Sequence, residues 1–119
     1  MTVAPFPDRV ELVLDFALTD SGNADFFVRE VDHTVLFDHT VKRWFRFEGP
    51  HWRVDITNQV QEIAVAAMRA RQHEAMQIAD KDTRKAAIAY ALKSEDRRRI
   101  MDMLALASSR PTIAVDGSA

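Results

Sequence analysis

At 119 residues the chain has the size of one domain that buries its own core, and the lack of cysteine excludes disulfides, thiol nucleophiles and cysteine-ligated zinc. The formal net charge of -2 hides an asymmetry, because residues 1–40 carry eight acids against two bases and the remainder ten acids against fourteen bases, so only the later part suits a polyanion. No apolar run nears the roughly 18 residues that cross a bilayer, and no basic stretch precedes an apolar one at the N-terminus, so a cytoplasmic protein without a membrane partner is expected.

Pro5 and Pro7 around Phe6 resist regular structure, and residues 1–17 read as a tail or linker ahead of a single domain over 18–115. Val10, Leu12, Leu14 and Phe16 alternate as a half-buried strand does, yet Leu14 and Leu18 share a helical face; the two readings stay open. Thr19 or Asp20 supplies a side-chain oxygen to cap a helix, in which Ala24, Phe27, Val28 and Val31 fall on one face. Gly22 in its first turn permits close approach of another backbone. Val35-Leu36-Phe37 is β-prone, with Asp38 and His39 at its turn.

Both tryptophans lie in the next stretch, Arg43-Trp44-Phe45-Arg46-Phe47-Glu48-Gly49-Pro50-His51-Trp52-Arg53-Val54. A break around Gly49 makes it two antiparallel strands. Trp44, Arg46 and Glu48 fall on one parity and Phe45 and Phe47 on the other, so aromatic surface shows on both faces. A hairpin alone is marginal in water and needs helices over its aromatics; on that reading Trp44 and Trp52 are core. Lys42, Arg43, Arg46 and Arg53 interleave with the rings, a pattern that also suits a single-stranded nucleic acid, and exposure of the rings decides between the two.

From Asp55 to about Ala79 runs the longest helical pattern, with Asn58 and Gln61 as a capping pair and Ile56, Val60, Ile63, Ala67 and Ala70 down one side. Arg69, Arg71, Gln72 and Glu74 read as its solvated face, with Arg69 and Arg71 as candidates for phosphate contact. Asp80-Lys81-Asp82-Thr83 breaks or kinks this helix before a narrow stripe of Ala87, Ile88, Ala91 and Leu92. Ser94 with Glu95 and Asp96 reads as the next helix start, followed by Ile100, Met103, Leu104 and Ala107 on one face, with Met101 and Leu106 off it. Arg97-Arg98-Arg99 is the densest basic run; its side chains splay about 100° apart, and pairs from Arg98 to Ser94 and Glu95 and from Arg99 to Glu95 and Asp96 read as ordinary helix surface. Pro111 ends the helix, Thr112–Val115 is β-prone, and residues 116–119 read as a disordered tail. The fold expected is α+β, mostly α, with a small antiparallel hairpin or three-stranded sheet on about four helices, and a core including Phe27, Ile63, Ile100 and Leu104 besides the tryptophans.

Chemistry is conspicuous by what is missing. With three glycines and no Gly-rich loop leading to Lys and Ser or Thr, the chain has no phosphate-cradling loop. Asp80 with Asp82 and Glu95 with Asp96 are better helix starts than metal-holding carboxylates. No serine has a histidine nearby in sequence, and His33, His39, His51 and Asp38 lack the paired spacing of a zinc site. No catalytic residue, cofactor or metal is expected.

Leu18-Thr19-Asp20-Ser21-Gly22-Asn23-Ala24-Asp25-Phe26-Phe27-Val28, then the Arg43–Trp52 stretch, then Leu92-Lys93-Ser94-Glu95 and Ile113-Ala114-Val115 resemble, in that order, the domain preceding the helicase in phage and plasmid primase-helicases, known also from poxvirus-type helicase-primases. The resemblance covers about Leu18 to Val115, and departs from the pattern at Lys42, where a turn glycine is expected, and at Val41, where an aromatic is common. It implies a non-catalytic accessory domain in DNA replication, encoded by a phage, prophage or plasmid, that helps a helicase motor in the same or another chain assemble, as a possible homo-oligomer. Its DNA, single-stranded or forked, would meet Arg43, Arg46, Arg53, Arg69, Arg97, Arg98 and Arg99. Two other readings stand beside it: a helix-turn-helix regulator built from Arg84–Leu92 and Glu95–Ala107, and an interaction module without nucleic-acid binding, for which Met101, Leu106 and the Val10–Phe16 segment would be exposed.

Overall fold

The computed structural model describes residues 16–117; the tail read over 1–7, the strand-or-helix question over 10–15 and the last two residues lie outside them. Thr19 is extended and its hydroxyl accepts the Gly22 N–H at 3.0 Å, which starts helix α1 (Asp20–Val31). Ala24, Phe27 and Val31 are buried on the face the spacing predicts, and Phe26 joins them. At Gly22 a Cβ would lie 1.9 Å from the Ala17 carbonyl oxygen, so only glycine lets the entering chain cross the helix there.

Strand β1 (Val35–Asp38) pairs antiparallel with β2 (Arg43–Glu48), which pairs with β3 (His51–Val54) across a turn at Gly49, φ 62°. The sheet has one strand more than expected. β4 (Ala114–Val115) lies parallel to β1, giving the order β3-β2-β1-β4. Parallel pairing between distant segments leaves no local turn signal, which is why the β-prone Thr112–Val115 gave no partner by inspection. The chain past β4 is also fastened: the Thr40 hydroxyl donates to the Asp116 carbonyl, and Gly117 packs beside Asp38, where a disordered tail was expected.

Helices α2 (Gln59–Ala75), α3 (Lys81–Lys93) and α4 (Arg97–Ala107) complete an α+β, mostly α fold, with four helices and one mixed sheet among the described residues. α3 lies along α2, and α4 lies across α1 and α2. The main core joins Phe26 and Phe27 of α1, Val35 of β1, Val60, Ala64 and Met68 of α2, Ile100, Met103 and Leu104 of α4, and Ile113 before β4. A smaller cluster of Ala75, Ile78 and Ala87 holds α3 to the end of α2.

Two helix boundaries differ from expectation, and a third settles between alternatives. Asn58 is left-handed, φ 60°, and makes no side-chain cap; the Asp55 carboxylate instead accepts the Gln59 and Val60 N–H groups, each at 2.8 Å. Ile56 therefore precedes α2 and is 76% exposed rather than on its buried stripe. Asp80 is a true cap, its carboxylate accepting the Thr83 N–H and hydroxyl at 2.8 and 2.7 Å, so the break between α2 and α3 is more than a kink. Ser94 ends α3 rather than starting α4, which follows an extended Asp96. Ala87 and Ala91 of the α3 stripe are buried, while Leu92 is exposed.

Candidate nucleic-acid interface

Register assigns the hairpin side chains to two unlike faces. Val35, Phe37 and Trp44 point to the helices, and Trp44 packs edge-on against Phe27 and Phe37 at 6.3 and 5.2 Å between ring centroids. On the other face Leu36 lies opposite Phe45, Phe45 opposite Val54, and Phe47 opposite Trp52. No described element covers that side, and Phe47 and Trp52 are 47% and 41% exposed. Trp52 is thus not core: the pleat sends it away from the helices that shelter Trp44. Of the other expected core residues, Phe27, Ile100 and Leu104 are buried, and Ile63 and Trp44 are partly buried against the core.

The basic residues divide by what they touch. Arg43 and Arg53 are exposed on the hairpin and, like Lys42 beside them, make no ion pair among the described residues. Arg46 is committed to Asp55 at 3.7 Å and Glu48 at 3.4 Å. Arg69 meets Glu95 at 3.1 Å. That bond takes the acid expected to pair with Arg98 and Arg99; Ser94 to Asp96 lie between helices, so helical spacing does not bring them to those arginines. Arg99 lies over the Tyr90 ring at 5.5 Å, while Arg97 and Arg98 are exposed, toward α2 and toward Leu18–Asp20 respectively. The seven arginines therefore do not form one row.

Arg71 was read as solvated and is 2% exposed. Its guanidinium donates to the Phe16 and Ala17 carbonyls at 2.5 and 2.8 Å and to Asn23 Oδ1. Asn23 Nδ2 in turn donates to Ser94 Oγ at 3.0 Å, and Ser94 Oγ to the Tyr90 carbonyl at 2.8 Å. Burial pushes the Arg71 guanidinium down from its ordinary value, though the group is so basic that it stays charged. This chain of bonds ties the entry segment, α1, α2 and the end of α3 together. Nothing in the sequence marks it, because its partners lie 48 and 71 residues apart and Ser94 alone reads equally well as a local helix cap. Arg110 likewise reaches back to Asp25 at 2.8 Å and to Ser21 Oγ at 2.8 Å.

Among the described residues no group of three or more histidines and carboxylates is placed to hold a metal. His39 Nε2 lies 2.7 Å from the Ser108 carbonyl oxygen. Among those residues no helix is long and apolar enough to cross a membrane.

Comparison with curated proteins and with solved structures gives no match. Residues 24–118 match the family described as D5 N terminal like, the N-terminal domain of D5 primase-helicase-like proteins. That span holds α1 from Ala24 on, the β2–β3 hairpin, the α3–α4 junction and β4, so the chain belongs to the D5 N terminal like family.

Proposed function

We propose that this chain is the non-catalytic accessory domain of a phage- or plasmid-type replicative primase-helicase, which helps the motor assemble and contacts DNA. Family membership supports the association with a primase-helicase. The observation that carries DNA contact is a group of exposed cations that make no ion pair among the described residues, Lys42, Arg43 and Arg53 on the hairpin and Arg97 and Arg98 on α4. A guanidinium held by Asp or Glu has little left for a phosphate, whereas an unpaired exposed one releases counterions from DNA on binding.

The test is binding of a labelled fork to this chain across a salt series. Binding that weakens steeply with salt, and weakens further in the pairs Arg43→Glu/Arg53→Glu or Arg97→Glu/Arg98→Glu, is expected; no binding at low salt would overturn DNA contact. Sedimentation of the chain with and without a helicase motor tests assembly, with a shift to a larger species expected.

A second reading, an interaction module without nucleic-acid binding, has exposed apolar side chains in its favour, Met101 and Leu106 on α4 among them. Co-sedimentation with a motor but no DNA binding would select it. The helix-turn-helix reading has no such support, because α3 packs along α2 rather than as a pair with α4.

A further inference from the structure

We infer that the outer face of the sheet, with Trp52 and Phe47 at its β3 edge, is a stacking platform for the bases of single-stranded DNA. The inference rests on the DNA contact proposed above and assigns it a place and a strand preference. The platform is built by register: Phe47 and Trp52 face each other across β2 and β3, their rings 5.2 Å apart and inclined at 63°, and Phe45 continues the row toward Leu36. An open trough of about 400 Å³ runs beside them, lined by Leu36, Asp38, Phe45, Trp52, Val115 and Gly117.

Exposed rings on a sheet face that no element covers among the described residues cost solvation and ask for an occupant, and the charge around them selects which. Arg43 shares the parity of Phe45 and Phe47 and Lys42 precedes it in the turn, whereas Arg53, opposite Arg46, has the other parity and borders the face only at the edge of β3; none of the three meets a carboxylate among the described residues. Of the nearby acids, Asp38 lines one end of the trough and accepts the Thr40 and Val41 N–H groups, while Glu48, on the other parity, pairs with Arg46. Cations in reach of aromatic faces fit a polyanion that also offers π-faces. A duplex keeps its base faces stacked within itself, so it could use the cations but not the rings. A single strand uses both, with room here for roughly two or three bases.

The experiment titrates a labelled oligo(dT) of roughly 15 nucleotides, and a duplex of the same length, with the complete 119-residue chain. Preference for the single strand is expected, together with quenching of Trp52 emission in a Trp44→Phe background, where Trp52 is the one remaining indole. Trp52→Ala and Phe47→Ala should each weaken single-strand binding by about tenfold or more while leaving the salt slope unchanged, and Trp52→Phe should retain most of it. Arg43→Ala, on the face of the rings, should lower the salt slope by about one contact. Thermal unfolding of every variant checks that the fold is kept. Undiminished binding by folded Trp52→Ala and Phe47→Ala overturns the platform but leaves DNA contact standing. No binding of either DNA form removes both. A second copy of the chain seated on the face, seen as a dimer that Trp52→Ala dissociates and oligo(dT) does not, also overturns it.

Discussion

Arg71 occupies a position of the buried stripe of α2, between Met68 and Ala75, and is tolerated there because three acceptors converge on its fork. Arg71→Met would leave two backbone carbonyls and Asn23 short of a donor, a loss of roughly 3 kcal/mol or more in urea unfolding. Arg71→Lys should recover little, since an ammonium cannot span the same acceptors. By contrast Arg69→Ala, two positions away on the exposed side, should cost less than about 1 kcal/mol. Equal losses at 69 and 71 would contradict the burial of Arg71. Lys42 carries a different strain. It is left-handed at φ 59° and its N–H closes the turn on the Asp38 carbonyl at 2.7 Å, so it adopts a conformation that favours glycine. Lys42→Gly should raise stability by about 0.5–1 kcal/mol, the relief of strain outweighing the added freedom of the unfolded chain, and Lys42→Val should lower it.

At the scale of elements, what was legible followed from periodicity, and what was not followed from contacts made across the chain. α1 and α4 have their buried residues where the spacing put them, because one side of each helix meets the core and the other meets water. The start of α2 was misplaced because two residue types compete: Asn58 looks like the cap, but Asp55, three residues earlier, supplies the bonds. Asp55→Ala should therefore cost about 1–2 kcal/mol, with Gln61→Ala near neutral. The platform was half legible: the interleaved rings and cations were visible, but not which ring faced out, since that depends on which side of the sheet the helices cover. Asp80, the cap of α3, gives a test in pH. Bonds from the Thr83 hydroxyl and N–H hold its carboxyl below the ordinary 3.8. A depressed folded value means that its stabilisation is present above about pH 4 and is lost as pH falls through the folded value. Asp80→Ser keeps a cap that does not titrate, so its acid unfolding should begin less steeply below pH 4.

For the whole molecule, the single sheet divides the structure into a side that folding depends on and a side it leaves open. Ile113 shows the first. It is buried in the main core, its carbonyl accepts the Phe37 N–H at 2.9 Å, and the Val115 carbonyl accepts the His39 N–H at 2.8 Å, so the last strand closes the fold onto β1. Ile113→Ala should cost about 2–4 kcal/mol, and removal of residues 112–119 should abolish the cooperative transition, because it takes both the side chain and the parallel pairing. Trp52 shows the second. Although larger than Ile113, it contacts chiefly Phe47 and water on the face away from the helices, so Trp52→Ala should lower stability by only about 1 kcal/mol. The two variants, compared by urea midpoint at unchanged slope, place the ring on one side or the other. If Trp52→Ala costs as much as Ile113→Ala, the tryptophan is held in a core and cannot serve as an open stacking surface; if it costs a small fraction of that, the stability of the domain is independent of the ring, which is then free to meet a partner.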